Sequence, residues 1–222
     1  MLLLAADTSG KNGSIALAQG NSDGTCDVLA VVPLQGGTFS AQLIPQVIAI
    51  LQAQQFEKKD LEGFAVVSGP GSFTGLRVGL AAIKALADVL GKPIAAVSLL
   101  EAVASSAKAN GTVTAALDAG RDQAYVGSYR IRKSGAEMIE EKLVDLSQLV
   151  LSIEDPLLTP DQKVADVAIA QRLAIEIVPA PRADTIARLG WRKILAGETT
   201  SPEMLDANYI RRSDAEIFSQ NK

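Results

Sequence analysis

The chain has 222 residues, of which 48% are hydrophobic and 21% charged, so it can bury the core of one large domain or two small lobes. Lys and Arg number 21 and Asp and Glu 25, a formal net charge of −4, so no overall positive field attracts nucleic acid. Histidine is absent and Cys26 is the only cysteine, which excludes Ser-His-Asp and Cys-His triads, histidine metal sites and structural disulfides within the chain.

The first half of the sequence predicts three strands and then an alternation of helices and strands. Short apolar runs and alternating patterns, separated by glycine-rich turns, predict strands over residues 2–6, 13–18, 27–34, 64–67 and 94–97. Helical spacing predicts helices over residues 40–55, 76–90 and 98–108. A block of three strands followed by alternation indicates a mixed sheet with a parallel part.

The pattern then starts again after residue 110. Strands are predicted over residues 113–117, 124–131 and 137–143, and helices over residues 145–151, 162–173 and 183–196. We therefore expect an α/β chain of two lobes, residues 1–109 and 110–222. An apolar strand ends in an aspartate in both lobes, at Asp7 and at Asp118, which indicates duplicated lobes.

The end of the first strand is a candidate phosphate turn. A carboxylate and hydroxyls that precede a glycine turn can present oxygens and amides to a phosphate or its Mg²⁺. The candidate residues are Asp7, Thr8, Ser9 and Ser14. The same residue types form ordinary hairpin turns, so a plain turn stays open.

A glycine-rich run, SGPGSFTGLRVG, occupies residues 68–79. Its glycines permit close backbone approach, and a helix capped by Thr74 or Gly75 would direct its first amides outward as an anion site. The run matches neither a Walker A loop nor GxGxxG, and it lacks the GxSxG nucleophile elbow. A tight strand-to-helix turn is the equal alternative.

Two predicted helices, over residues 40–55 and 76–90, are apolar on more than one side. A helix that covers one sheet face needs a single apolar stripe, so we predict that these helices form a protein–protein interface. Burial of both sides inside the chain is the alternative. We expect Val47→Glu or Leu80→Glu to disrupt pairing and leave the isolated fold largely intact. The predicted interface residues are Val47, Ile48, Leu51, Leu76, Leu80, Ile83 and Lys84.

Charged residues give two further candidates in the second half. The turn Asp118-Ala119-Gly120-Arg121-Asp122 could hold a metal or a phosphate, or be a solvated turn. Arginines at 182, 188 and 192, with Lys193, give the last predicted helix a basic face, and Arg211 and Arg212 follow near the end. This face could contact RNA or be merely solvated.

Three segments together resemble the TsaB (YeaZ) family: AADTS with GSIAL at residues 5–17, the glycine-rich run at 68–79, and SLLEA at 98–102. The resemblance is strong to about residue 105 and looser beyond. It implies an α/β fold of two lobes with ribonuclease-H-like, actin-like ATPase topology and mixed sheets. The first lobe would carry the partner-binding helices, and the last helix and tail would pack back on that lobe.

The resemblance also implies a function. The chain would be a non-catalytic subunit, without catalytic residues or a metal of its own, that pairs with the larger TsaD-type homologue and is joined by a TsaE-type ATPase. The assembly transfers a threonylcarbamoyl group to the adenosine beside the anticodon, so tRNA is bound through the complex. Pairing of the chain with itself in the absence of the partner stays open. No cofactor is firmly implied: Asp7, Thr8, Ser9 and Ser14 would be a vestigial phosphate loop, with ATP or ADP open at the partner interface.

An independent actin-like ATPase or small-molecule kinase is the alternative, with Asp7, Thr8 and the Asp118 turn as its site. Such a protein would bind nucleotide alone in a Mg²⁺-dependent manner. A peptidase is disfavoured because no histidine can activate Cys26 or a serine. The N-terminus lacks the basic segment of a signal peptide, and no stretch reaches the roughly 20 apolar residues of a membrane span, so we expect a cytoplasmic protein with no membrane contact.

Overall fold

The computed structural model describes residues 1–133 and 135–210, which form two compact units. The first unit contains Met1–Leu99 and Pro181–Ala207; the second contains Leu100–Ala180 and the segment that begins at Asn208. The observed boundary thus precedes the predicted one at residue 109. The reason is the position of Leu100, which packs so closely on the second unit that a Cβ at Gly127 would lie 3.3 Å from the Leu100 Cβ.

The first unit is built on a five-stranded mixed sheet in the order β3-β2-β1-β4-β5. The strands β1, β2 and β3 are antiparallel, whereas β1, β4 and β5 are parallel. All five strands and all three helices that the sequence predicts over residues 2–108 are present, and the third helix belongs to the second unit apart from Leu99. Their bounds are β1 Leu2–Asp7, β2 Asn12–Gly20, β3 Cys26–Gln35, α1 Phe39–Ala53, β4 Gly63–Gly69, α2 Phe73–Leu90, β5 Ile94–Ser98 and α3 Leu99–Ala104.

The second unit repeats this topology in the order β10-β9-β6-β7-β8, with β6, β7 and β8 antiparallel and β6, β9 and β10 parallel. The strand β6 therefore occupies the position of β1, and Asp7 and Asp118 lie near the ends of equivalent strands. Two mixed five-stranded sheets with helices confirm the predicted fold class. The bounds are β6 Gly111–Gly120, β7 Gln123–Arg132, β8 Gly135–Asp145, α4 Leu149–Ser152, β9 Leu157–Thr159, α5 Gln162–Ala170 and β10 Ile175–Ile177.

The helix α6, Ala183–Leu195, lies on one face of the first unit's sheet. Gly190 permits this close packing, because a Cβ there would collide with the Cβ of Ala65. The helices α1 and α2 cover the opposite face: Ser14 of β2 contacts the start of α6, while its neighbour Gly13 lies against Phe39 of α1. The last helix, which was expected to pack on the first lobe, thus lies on this sheet, and the tail beyond residue 210 lies outside the described residues.

Among the residues that the structure describes, no helix is both long enough and apolar enough to cross a membrane.

Candidate functional site

The candidate phosphate turn at the end of β1 is closed by its own hydrogen bonds. Asp7 is buried, and its Oδ1 accepts hydrogen bonds from the Ser9 amide at 2.9 Å and from the Ser9 hydroxyl at 2.6 Å. Burial raises the pKa of the Asp7 carboxyl, and the two hydrogen bonds from Ser9 oppose that rise. Oδ1 of Asp7 therefore holds the turn together as an acceptor in a buried network.

The start of α2 packs directly on this turn. The Ser72 amide donates to the Ser9 carbonyl at 2.6 Å, and the Thr8 hydroxyl donates to the Gly75 carbonyl at 2.7 Å. A Cβ at Gly71 would lie 2.6 Å from the Ser9 carbonyl oxygen, and one at Gly75 would lie even closer to the Thr8 carbonyl oxygen. The geometry thus favours the packing interpretation of the glycine-rich run, since its glycines let two backbones approach each other.

The helix α2 begins earlier than predicted. Ser72, not Thr74 or Gly75, is its N-cap residue, and the Ser72 hydroxyl accepts a hydrogen bond from the Gly75 amide at 3.3 Å. The backbone leaves the strand conformation directly after Gly69, so Phe73 and Thr74 already belong to the first helical turn.

Ser14, the fourth candidate of the phosphate turn, serves a different element. Its hydroxyl is buried and accepts a hydrogen bond from the Ala183 amide at 2.9 Å, at the beginning of α6. The structure therefore brings Asp7, Thr8 and Ser9 together against α2 and ties Ser14 to α6. Nucleotide binding by these four residues stays a prediction.

The equivalent turn in the second unit is fixed by charge. The Lys163 ammonium lies 3.0 Å from Oδ1 of Asp122 and 3.8 Å from Oδ1 of Asp118, and its hydrogen bond to Asp122 raises the pKa of Lys163. Asp161 accepts a hydrogen bond from the Asp118 amide at 2.8 Å. Sequence reasoning missed Lys163 and Asp161, which lie at the start of α5 and follow a strand too short to be predicted. Within the described ranges, no group of three or more Cys, Asp or Glu side chains could hold a metal ion.

The predicted interface residues fall into two groups. Ile48 is 51% exposed and Lys84 is half-buried. The others are buried within the first unit, so the expectation that Val47→Glu and Leu80→Glu spare the fold is wrong: both substitutions place a charge in the chain's own core. The buried group consists of Val47, Leu51, Leu76, Leu80 and Ile83.

The solvent-exposed side of α1 is uncharged and mostly apolar, and it consists of residues other than the buried ones. Ile44 and Ile48 lie four residues apart and are 41% and 51% exposed, and α1 contains no charged residue. The other exposed residues of α1 are Ala41, Pro45, Ala49 and Ala53 and the uncharged polar residues Ser40 and Gln52. At the start of α2, Phe73 is also partly exposed, with the Arg77 guanidinium 3.6 Å from the centre of its ring. Neither Ile44 nor Phe73 is among the interface residues predicted from the sequence.

The arginines of the late basic segment lie on the solvent side of α6. Arg182, Arg188 and Arg192 are exposed, whereas Lys193 is half-buried. Arg188 pairs with Asp184 at 3.2 Å, and Lys193 with Glu198 at 3.7 Å. The predicted charges at residues 211 and 212 lie outside the described residues.

A family model and two curated relatives of this chain all belong to tRNA threonylcarbamoyladenosine biosynthesis. The family model described as "TsaD: tRNA N6-adenosine threonylcarbamoyltransferase" matches residues 31–195. The tRNA threonylcarbamoyladenosine biosynthesis protein TsaB of Bacillus subtilis (strain 168) is 27% identical, and that of Escherichia coli (strain K12) 28% identical; each match covers 97% of this chain and 96% of the relative.

The fold agrees as well. The solved structure of YeaZ from Pseudomonas aeruginosa superposes with a TM-score of 0.76 at 23% sequence identity, covering 94% of this chain and 99% of that one. The family model matches most of the chain, and the TsaB proteins are similar over its full length. Together these matches assign the chain to a family. The chain belongs to the TsaD family of tRNA threonylcarbamoyladenosine biosynthesis and, within it, to the TsaB (YeaZ) group.

Proposed function

We propose that this chain is a non-catalytic subunit that pairs with a TsaD-type homologue through the outer faces of α1 and α2. In this proposal the pair supports transfer of a threonylcarbamoyl group to the adenosine beside the anticodon of tRNA, and a TsaE-type ATPase joins the assembly. The observation that carries the proposal is the uncharged outer face of α1, with Ile44 and Ile48 exposed.

A helix on the surface of a sheet ordinarily carries charged residues on its solvent side. In α1 the exposed residues are instead two isoleucines, three alanines, a proline and the uncharged polar residues Ser40 and Gln52. The neighbouring helix α2 adds Phe73 at its start and Val89, which is 83% exposed, near its end. Exposed apolar side chains on two neighbouring surface helices are characteristic of a protein interface, which supports pairing with another chain.

The closed turns support a non-catalytic role. In the first unit the Thr8 and Ser9 groups are engaged by Asp7, Ser72 and Gly75, so a nucleotide at this turn would have to displace α2. The sequence also contains no histidine to act as a general base. In this proposal, ATP or ADP therefore binds at the interface with the partner.

The test is sizing chromatography with light scattering on this chain, alone and mixed with the TsaD-type protein of the same organism. We expect a mixed peak at the summed mass. Ile48→Asp should weaken association at least tenfold, or about 1.4 kcal/mol, because it puts a charge in the centre of the interface. Ile169→Asp is the matched control, since Ile169 is an isoleucine on helix α5 with a similar exposure of 57%.

Three outcomes would contradict the proposal. Two unshifted peaks at micromolar concentrations refute pairing. Equal loss of pairing in both variants shows that the effect is not specific to α1. Calorimetry tests whether the isolated chain binds Mg²⁺-ATP. Saturable binding refutes a nucleotide site at the partner interface and favours the independent ATPase. A single heavier peak of the chain alone identifies self-pairing, and Ile48→Asp then shows whether the same face is used.

A further inference from the structure

We propose that the arginine face of α6, made of Arg182, Arg188 and Arg192, contacts the phosphate backbone of tRNA in the assembled complex. This inference rests on the function proposed above, because it requires the pair with the TsaD-type homologue. It adds a second binding surface, on the face of the first unit's sheet opposite to α1 and α2.

The basic strip of α6 consists of Arg188 and Arg192, which share one exposed stripe of the helix with Asp184, and of Arg182, which precedes the helix. Ile186, Ala187 and Trp191 face the sheet and are buried. On the opposite side, Arg188 and Arg192 lie one helical turn apart, about 6 Å along the axis. Arg182 precedes the first turn. All three arginines are exposed.

Neighbouring carboxylates neutralise only part of this strip. Asp184 pairs with Arg188, and Glu198 pairs with the flanking Lys193. For Arg182 and Arg192, no carboxylate of residues 1–133 or 135–210 lies within 4.0 Å in an ion pair. The strip therefore keeps a local positive charge on a chain whose net charge is −4.

Two features of the strip are unfavourable for the helix alone. Arg188 and Arg192 are like charges at positions i and i+4, which repel each other on a helix surface. Arg182 occupies the N-cap position, where its own side chain does not cap the helix and where a cation opposes the helix dipole. Departures of this kind from local preference are expected where a residue serves binding.

The chemistry of the strip favours an RNA phosphate as its ligand. A guanidinium offers planar, bidentate donors that match phosphate oxygens, and Arg188 and Arg192, one turn apart on the exposed side of α6, can contact successive phosphates of a backbone. Backbone contacts of this kind position a nucleic acid without reading its sequence. Because the interface proposed for the partner lies on the other side of the sheet, the two surfaces can be tested separately.

The test compares the double variant Arg188→Gln/Arg192→Gln with wild type in the complex with the TsaD-type protein. Lys58→Gln/Lys59→Gln is the control, since it removes the same charge from exposed residues of the same unit. Complex formation is first measured by sizing chromatography. Affinity for unmodified tRNA is then measured by fluorescence anisotropy at a series of salt concentrations. We expect the arginine variant to bind tRNA about tenfold more weakly and to lower the salt slope by about 2, one for each lost phosphate contact.

The outcomes separate this inference from the proposed function. Failure of the wild-type complex at the sizing step refutes the proposed function and removes the basis of the inference. Normal complex formation with tRNA affinity and salt slope equal to the lysine control refutes the arginine contact alone. Loss of complex formation in the arginine variant shows that the strip binds an acidic protein surface, which also overturns the RNA assignment.

Discussion

Gly75→Ala tests whether the contact between α2 and the Asp7 turn is as close as the structure has it. Helix propensity alone favours the change, because alanine in a helix is more stable than glycine by about 1 kcal/mol. The structure predicts instead that Gly75→Ala lowers the free energy of unfolding. A Cβ at residue 75 would lie closer to the Thr8 carbonyl oxygen than the 3.0 Å below which real Cβ contacts essentially do not occur.

The size of this loss of stability depends on which atoms must move to make room for the Cβ. The nearest atom belongs to the backbone of Thr8, so neither a rotamer change nor a flexible side chain can relieve the collision. Overpacking of this kind costs about 1–3 kcal/mol, and displacement of α2 also weakens the hydrogen bond from the Thr8 hydroxyl to the Gly75 carbonyl, worth about 1 kcal/mol. After the gain in propensity, we expect a net loss of about 2 kcal/mol, or roughly 4–8 °C in Tm.

Urea unfolding followed by circular dichroism measures this loss, with thermal melts as a second readout. Ala85→Gly is the control, since Ala85 is an exposed residue of the same helix and should lose about 1 kcal/mol from propensity alone. A Gly75→Ala protein that is as stable as wild type, or more stable, would refute the close contact. The interpretation of the glycine-rich run as a packing motif would fail with it.

Two further substitutions test the buried parts of the first unit. Burial raises the pKa of the Asp7 carboxyl, so the stability that this group contributes is present at acid pH and is lost as the pH rises through the raised pKa. Asp7→Asn should therefore be more stable than wild type at pH 8 and show a flatter pH dependence of urea unfolding from pH 4 upward; an unchanged pH profile would contradict this. Val47→Glu should lose on the order of 3 kcal/mol or more and unfold, because Val47 is only 4% exposed; a native melting curve would show that the inner side of α1 is not core.

The sequence predicted most elements of both sheets because their apolar runs are long enough to show a period. The strands β9 and β10 were missed, since three residues each cannot establish an alternation. The ion pair between Lys163 and Asp122 was missed for a related reason: it joins two residues that are 41 positions apart in the chain, on either side of β9.

The outer side of α1 was harder to predict than the outer side of α6. The helix α6 is strongly amphipathic, so its arginines mark the solvent side in the sequence itself. In α1 apolar residues occur all round the helix, and the pattern does not distinguish Val47 from Ile48. Only packing on the sheet separates them: Val47 is buried, and Ile48 is half exposed. The interface on this helix stays a prediction, and the sequence pattern alone could not choose its face.

The two units close the same turn by different means, which bears on the proposed loss of chemistry. In each unit the turn after the first strand of the sheet is contacted by the start of the helix that follows the neighbouring parallel strand. In the first unit glycines let α2 press on Thr8 and Ser9. In the second unit Lys163 and Asp161 of α5 bind the Asp118 turn.

A turn that served phosphate or metal would need its donors and carboxylates available to the ligand. Here the donors and acceptors named in both turns are engaged by neighbouring parts of the same unit. The two arrangements differ in burial: Asp7, Thr8 and Ser9 are buried in the first unit, whereas the Asp122 side chain that pairs with Lys163 in the second unit is 91% exposed. The outer face of α1 and the arginines of α6 are exposed in the same unit, and we propose that the protein binds its partner and tRNA through these surfaces.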